Sequence, residues 1–189
     1  AERAGAFVVG EDLGVVEPWF REALAQRDIL SYRLAWFEDR PAAEYPRRAM
    51  AAVTTHDLPT VAGFFSGRDV DHLRDIGVLD EEHHAAFNAR EQGERHRLRE
   101  RLAAEGIEDA WSDDPRAIAR ALHAFLARTP CMLACASLDD AAGSVDRPNV
   151  PGTIDQHPNW RLPLRATIEE LAADPAVRAS LAPLRDGVR

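Results

Sequence analysis

Four times along this chain a short apolar run ends at acidic residues, and helix-compatible sequence separates each run from the next. The runs cover residues 7–9, 29–37, 50–55 and 131–136, and the acids that follow are Glu11-Asp12, Glu38-Asp39, Asp57 and Asp139-Asp140. Such alternation is typical of parallel α/β folds, and strand-end residues of barrel enzymes line the active site. Four such units predict half of an eight-stranded barrel.

Composition excludes several function classes. The 189 residues, 46% of them apolar, are enough for one domain with a core, and the net charge of −9 disfavours nucleic acid and anionic membranes as partners. The longest apolar runs fall short of the roughly 18 residues that span a bilayer. The chain starts without Met or a signal-like segment, which predicts an excerpt of a longer cytoplasmic protein. Cys131 and Cys135 are interpreted as small core residues in a reducing compartment.

Capping residues and periodicity predict the helices between and after these runs. A helix from Pro18 should pack behind the first strand, and His83 and His84 should be solvated surface residues. The predicted helices cover residues 18–26, 60–65, 80–105 (one long helix or two), 115–128 and 164–184, the last divided at Asp174-Pro175. An irregular loop over residues 143–159 should be functional, because long loops in compact domains usually are.

Ionisable residues follow two of the predicted strands, Glu11-Asp12 after the first and His56-Asp57 after the third. An apolar structural framework does not explain these side chains. Converging carboxylates beside a histidine, without a phosphate-binding glycine loop, favour acid/base chemistry on sugars. One alternative is that the acids only cap the following helices, which fits Asp12 better than Glu11. A phosphate-binding barrel is another. No metal is expected, because no third ligand occurs at a recognisable spacing from His56 and Asp57.

Four motifs carry a family resemblance. They are Val-Gly-Glu-Asp-Leu-Gly at residues 9–14, Thr-Thr-His-Asp-Leu-Pro-Thr at 54–60, Asn-Val-Pro-Gly-Thr at 149–153 and Pro-Asn-Trp-Arg at 158–161. In this order they resemble the C-terminal catalytic portion of bacterial 4-α-glucanotransferases, also called amylomaltases. The resemblance implies the C-terminal half of a (β/α)8 TIM barrel with extra helices. It also implies retaining transfer of α-1,4-glucan segments between maltodextrins.

The resemblance also implies roles for individual residues. Glu11 matches the general acid/base, which protonates the departing sugar and then deprotonates the incoming acceptor hydroxyl. Asp57 matches the carboxylate that grips the reacting ring and favours its cation-like state. His56 matches its sugar-binding neighbour.

Three further positions are assigned to substrate in the same way. Asn149 matches a substrate contact in the Asn-x-Pro-Gly loop, and Phe37 is placed on the acceptor side. Trp160 is either a sugar platform or a loop anchor. The implied partners are α-1,4-glucans and maltooligosaccharides, and this chemistry requires no cofactor and no metal.

One departure from the family pattern concerns the nucleophile. The family's nucleophilic Asp lies on the strand before the one that ends at Glu11, and Asp12 cannot replace it because adjacent strand residues point to opposite faces. Residues 1–189 are therefore expected to be the C-terminal part of one catalytic barrel, inactive alone and prone to self-association. Two alternatives remain, a noncatalytic glucan-binding or docking fragment and an α-amylase-like hydrolase.

Overall fold

The computed structural model describes residues 1–187, apart from the Glu2 side chain, and its central feature is a three-stranded parallel sheet. The strands β1 (Ser31–Leu34), β2 (Ala49–Ala52) and β3 (Leu133–Cys135) lie side by side in chain order. In the register, Leu34 lies opposite Ala52, and Met50 lies opposite Leu133. This arrangement confirms the predicted α/β class.

Helices surround the sheet. Within residues 1–187 the chain forms eight α-helices, which are α1 (Pro18–Gln26), α2 (Val61–Ser66), α3 (Arg68–Asp75), α4 (Glu81–Ala104), α5 (Pro115–Ala127), α6 (Leu138–Ala142), α7 (Ile168–Ala173) and α8 (Pro175–Gly187). Short 3₁₀ turns occur at Glu2–Ala4 and Ala42–Glu44. The second of these turns is the regular structure between β1 and β2, where the sequence pattern predicted a helix-compatible connection.

The first predicted strand is reduced to a single bridge. Val9 pairs in parallel with Leu30, while Phe7 and Val8 are 64% and 43% exposed. Backbone bonds from Gly10 N to Leu30 O (2.8 Å) and from Leu30 N to Val8 O (2.9 Å) hold this segment beside β1. The predicted strand over residues 7–9 is therefore wrong for residues 7 and 8.

The core lies between the sheet and the helices that follow β2. Alanines 49, 51 and 52 of β2 are almost completely buried, and so are the apolar residues that α5 presents, including Ile118, Leu122 and Phe125. Aromatic contacts join the layers: the Trp36 and Phe64 ring centroids are 4.3 Å apart. The helix predicted over residues 115–128 is confirmed. Its start agrees as well, because Asp114 caps the helix and Pro115 is its first residue.

The long polar segment forms one helix, α4, which continues through Gly93. Leu98 and Leu102 are its buried residues, and Arg95 lies over the Phe64 ring at 5.2 Å from the centroid. The prediction for the adjacent histidines is half wrong. His83 is exposed, but His84 is largely covered because its Nε2 lies 2.9 Å from Oδ1 of Asp71 on α3.

The C-terminal part packs as two helices after a long loop. α7 and α8 meet at Asp174-Pro175, as predicted, and residues 143–167, called the 143–167 loop below, connect α6 to α7 without regular structure. α8 packs on α5, where buried His123 donates a hydrogen bond from Nδ1 to the Ser180 carbonyl at 2.8 Å. Burial lowers the pKa of His123 below its ordinary value.

Both cysteines are free thiols. Cys131 is partly buried, whereas Cys135 is exposed at the end of β3, so its predicted place in the core is wrong. β3 is bonded to β2 on one side, and this leaves the end of β3 uncovered among the described residues. Across residues 1–187 the helices are all too short or too polar to cross a membrane.

Candidate active site

Glu11 projects from the segment that follows the Val9 bridge. The chain passes close to α1 at this point: a Cβ on Gly10 would lie 2.9 Å from Cδ1 of Leu24, so glycine permits the approach. Glu11 is exposed and lines a cavity of about 210 Å³, called the Glu11 cavity below. Tyr32 and His56 line the same cavity from β1 and from the end of β2.

Asp12 points the other way, into the protein. Its carboxylate accepts hydrogen bonds from Ser31 Oγ (2.5 Å), the Tyr32 amide (2.7 Å) and Arg21 Nε (3.1 Å). Burial would raise the pKa of Asp12, but these bonds and the nearby Arg33 charge hold it below its ordinary value. The interpretation of Asp12 as a helix cap is wrong, since it instead fastens the Glu11 segment to β1.

His56 and Asp57 lie in a tight turn between β2 and α2. The Leu58 amide donates to the Thr55 carbonyl at 3.2 Å, and Thr60 caps α2 by accepting from the Gly63 amide. Both side chains are about half exposed, and His56 Nε2 lies 3.4 Å from Asp57 Oδ1. The turn therefore presents an imidazole and a carboxylate together at the carboxyl end of a parallel strand, the edge at which parallel α/β folds bind ligands.

The 143–167 loop contacts both residues of this turn. Asn149 donates from Nδ2 to Asp57 Oδ1 at 2.7 Å, and the Trp160 ring lies 5.0 Å from the His56 ring, centroid to centroid. Trp160 has a positive φ of 62°, and its amide donates to the Pro148 carbonyl. Trp160 thus contacts the loop through its backbone, while its indole is 64% exposed beside His56. Both sequence interpretations of Trp160 fit this placement.

Phe37 belongs to a neighbouring cavity. It is 54% exposed in the turn after β1 and, with Asp57, lines a cavity of about 510 Å³, called the Asp57 cavity below. Phe87 and Arg90 of α4 line the same space. Leu58 and Pro59 line both cavities, which places them side by side around the His56-Asp57 turn.

The structure thus groups the predicted residues around one turn. Glu11 and His56 share a cavity, Asn149 and Trp160 contact the turn, and Phe37 shares the adjacent cavity with Asp57. Residues 1–187 contain no group of three or more His, Cys, Asp or Glu side chains positioned to hold a metal ion.

Sequence reasoning missed Tyr32 as a site residue. Its pKa is raised, first by burial and then by the neighbouring Cys135 and Glu11 groups, so the phenol keeps its proton beside the Glu11 carboxyl. The available signal was its position in a predicted strand between two polar residues, Ser31 and Arg33. This alternation places Tyr32 on the face opposite to its neighbours.

Asp140 was predicted to project from a strand end, and the structure places it in the first turn of α6 instead. The side chain is 2% exposed, and its Oδ1 accepts from the Val61 amide at 2.7 Å. Oδ2 has no hydrogen-bond partner among residues 1–187. Burial raises the pKa of Asp140 to about 7, although the Val61 bond opposes this. Asp140 therefore connects α6 to the start of α2, directly behind the His56-Asp57 turn.

Comparison with known proteins points to one family. A family model described as 4-alpha-glucanotransferase matches residues 1–168. The 4-alpha-glucanotransferase of Mycobacterium tuberculosis is 38% identical over 174 residues, which cover 87% of this chain and 24% of that protein. The 4-alpha-glucanotransferase of Haemophilus influenzae is 24% identical over 197 residues, 98% of this chain and 28% of that protein.

Solved structures agree with these relatives. The crystal structure of amylomaltase from Corynebacterium glutamicum superposes with a TM-score of 0.86 at 32% identity, over 96% of this chain and 29% of that chain. Amylomaltase from Streptococcus agalactiae, in complex with acarbose, has a TM-score of 0.59 at 16% identity and supports the fold alone. The chain thus spans about a quarter of the length of the curated relatives it matches.

Proposed function

Because this chain belongs to the 4-alpha-glucanotransferase family, we propose that it supplies the acid/base side of the catalytic centre of a 4-alpha-glucanotransferase. The complete protein would transfer α-1,4-glucan segments between maltodextrins with retention of configuration. The observation that carries the proposal is that Glu11 and His56 line one cavity, while Asp57, the next residue of the same turn, is bonded through its carboxylate to Asn149 at 2.7 Å.

Glu11 is suited to the acid/base role by its position. It lines a cavity of about 210 Å³, and it is exposed, so protons can exchange with incoming hydroxyls. In the first half-reaction Glu11 would give its proton to the glycosidic oxygen as that bond breaks. In the second it would take the proton from the acceptor hydroxyl that attacks the glycosyl group. The group ends each cycle in its starting state.

Asp57 is suited to stabilising charge. Its carboxylate is held by Asn149, and its other oxygen remains available to ring hydroxyls of a substrate. A fixed negative group close to the anomeric carbon favours the oxocarbenium-like transition state. His56 would donate to a sugar hydroxyl, and the exposed faces of Trp160 and Phe37 would contact sugar rings on either side.

The nucleophile is proposed to lie outside residues 1–189. Retention requires two carboxyl groups about 5–5.5 Å apart across the scissile bond, and Asp12 is committed to Ser31, Tyr32 and Arg21. We therefore propose that the chain is the C-terminal half of a (β/α)8 barrel, with β3 and the Val9 segment as the edges where the remaining strands pair. In the isolated chain those edges would favour self-association.

We further propose a cytoplasmic protein, because the free thiols of Cys131 and Cys135 suit a reducing compartment. The proposed chemistry needs no cofactor and no metal, since the carboxyl groups supply both proton transfer and charge stabilisation. The proposed partners are α-1,4-glucans and maltooligosaccharides, with no role for nucleic acid at a net charge of −9.

Incubation of the complete protein with maltotriose tests this function. We expect glucose together with maltodextrins longer than the substrate, since one sugar accepts what another donates. The isolated 189-residue chain should produce neither, because it lacks the nucleophile. Shortening of maltotriose without longer products would favour the hydrolase alternative. Glucan binding without turnover in the complete protein would favour the noncatalytic one.

A further inference from the structure

Four buried or half-buried side chains join α3 to the 143–167 loop, and we call them the loop fastening. They are Asp69 and His72 of α3 and Arg147 and His157 of the loop. The two halves lie 78 to 85 positions apart in the sequence. None of them was identified from the sequence, because their relation exists only after the chain folds.

The first part of the fastening is an ion pair. Arg147 donates to Asp69 through two nitrogens, from Nε at 2.7 Å and from Nη2 at 2.6 Å, and both side chains are more than nine-tenths buried. A bidentate pair fixes the plane of the guanidinium as well as its position. The third nitrogen, Nη1, then reaches the Asp57 carbonyl at 3.3 Å. Arg147 is thus a direct link between α3 and the backbone of the His56-Asp57 turn.

The same loop holds the side chain of Asp57. Asn149 lies two positions after Arg147 and donates to Asp57 Oδ1 at 2.7 Å. The loop therefore contacts Asp57 twice, once at the carbonyl and once at the carboxylate. Any movement of the Arg147 backbone would change both contacts together, because only Pro148 separates the two residues.

The second part of the fastening holds that backbone. His157 Nε2 lies 3.0 Å from the Arg147 carbonyl, and its Nδ1 lies 2.9 Å from Nε2 of His72. A carbonyl only accepts hydrogen bonds, so Nε2 of His157 carries a proton. When His157 is neutral, Nδ1 is the acceptor and His72 is the donor. The two rings can share one added proton, but a second would leave two N–H groups facing each other.

We propose that the loop fastening is a positioning device for Asp57, which holds the Arg147–Asn149 segment in place while no more than one of the two imidazoles is protonated. Its four members are positioning residues, since they act through Asp57 and Asn149 and not on the sugar. The inference rests on the proposed function only for its effect on glucan transfer. The effect on the loop itself stands independently.

The surroundings of His157 oppose its protonation. Burial is the largest effect and lowers the pKa of His157, and the charges of His72 and Arg147 lower it further. The hydrogen bond to the Arg147 carbonyl and the charge of Asp146 act in the opposite direction, but the net shift is downward. Other charged groups around the fastening belong to α3 and α4. Arg68, Asp71 and Asp75 of α3 line the same cavity as Asp69 and Arg147. Glu91 and Arg95 of α4 lie near Asp69. The fastening is therefore intact above the ordinary histidine value of 6.5, where His157 is neutral. It weakens at lower pH, below the lowered pKa of His157, where the second proton is added to the pair.

Replacing His157 by glutamine distinguishes the effect of its two hydrogen bonds from the effect of its protonation. In His157→Gln the amide nitrogen can still donate to the Arg147 carbonyl, and the amide oxygen can accept from His72, but the side chain does not titrate. His157→Phe removes both bonds. His96→Gln is the matched control, because His96 is an exposed histidine of α4 that pairs with Glu100 and stands outside the fastening.

The direct measurement is hydrogen exchange of the loop backbone in the complete protein at about pH 7.5 and about pH 5, corrected for intrinsic exchange rates. We expect peptides covering residues 145–161 to lose protection at the lower pH in the wild type and in His96→Gln, but to keep it in His157→Gln. In His157→Phe the loop should exchange fast at both values. Equal pH dependence in the wild type and His157→Gln, or a wild-type loop that is insensitive to pH, would overturn the proposal.

Maltotriose turnover is the second measurement that tests the proposal. The kcat of His157→Phe should fall about tenfold or more at neutral pH with a smaller change in KM, because Asp57 is misplaced, and His157→Gln should restore most of it. A His157→Phe variant that fails to fold leaves His157→Gln to decide the matter. If the loop responds as expected but the complete protein transfers no glucan, the proposed function fails and the fastening stands.

Discussion

Replacing Glu11 by glutamine should abolish glucan transfer by the complete protein while leaving substrate binding nearly unchanged. The amide keeps the shape of the side chain but cannot give or take a proton. Because both half-reactions would use this group, we expect kcat to fall by more than the roughly 10²–10⁴-fold typical of general acid/base catalysis. Maltotriose turnover measures kcat, and calorimetric titration with a maltooligosaccharide measures binding.

Glu17→Gln is the matched control for this experiment. Glu17 is an exposed glutamate only six positions along the chain, at the start of α1, and its side chain caps no backbone group. Its replacement should leave turnover unchanged. A Glu11→Gln rate within about tenfold of the wild type would remove Glu11 from the mechanism.

Asp57→Asn should cost about 10²–10³-fold in kcat by a different route. The amide oxygen can still accept the hydrogen bond from Asn149, so the turn keeps its geometry while the negative charge is lost. If that charge stabilises the developing cation, kcat should fall by a larger factor than KM rises. Steady-state kinetics with maltotriose as the only substrate measure both constants.

Two further variants help to interpret the effect of Asp57→Asn on kcat. Asp155→Asn changes an exposed carboxylate of the same loop and should have no effect on kcat. Asn149→Ala removes the partner of the Asp57 carboxylate but not the charge, so its loss should be smaller than that of Asp57→Asn. An effect of Asp57→Asn confined to KM would make Asp57 a ground-state contact only.

Local signals predicted the starts of several helices, but they did not predict α3 or α6. α1 and α5 begin at the prolines that the sequence indicated, and Pro175 opens α8 where the division was expected. These starts depend on residues within one turn, namely a capping side chain or a proline whose missing N–H costs nothing there. The information needed to place them is contained in a few neighbouring positions.

The strands were less predictable from local pattern. Residues 7–9 have the β-branched character of a strand, but a strand needs a partner on its edge. Among residues 1–187 only Val9 finds one, in Leu30. Conversely, the pattern predicted that Asp139 and Asp140 follow the end of a strand, whereas Ser137 caps a short helix there and Gly143 closes it in the left-handed conformation. Those two capping residues were a usable signal.

In the candidate site, too, local sequence patterns identify some residues and miss others. Glu11, His56 and Asp57 could be chosen because each follows an apolar run directly. The bond from Asp140 to the Val61 amide spans 79 positions, and the ion pair of Arg147 with Asp69 spans 78. No pattern in one sequence couples residues at such separations, because the coupling arises from how the elements pack. The supporting residues therefore appear only in the folded chain.

The most direct measurement of the central claim is the distance between two carboxyl groups in a crystal structure of the complete protein with a bound maltooligosaccharide. We predict that the Glu11 carboxyl lies within hydrogen-bond distance of the scissile glycosidic oxygen. A second carboxyl, from a residue outside this chain, should lie about 5–5.5 Å from it on the opposite side of that bond. A separation of about 6.5–9.5 Å, or a Glu11 carboxyl that does not reach the glycosidic oxygen, would contradict the retaining acid/base role proposed for Glu11.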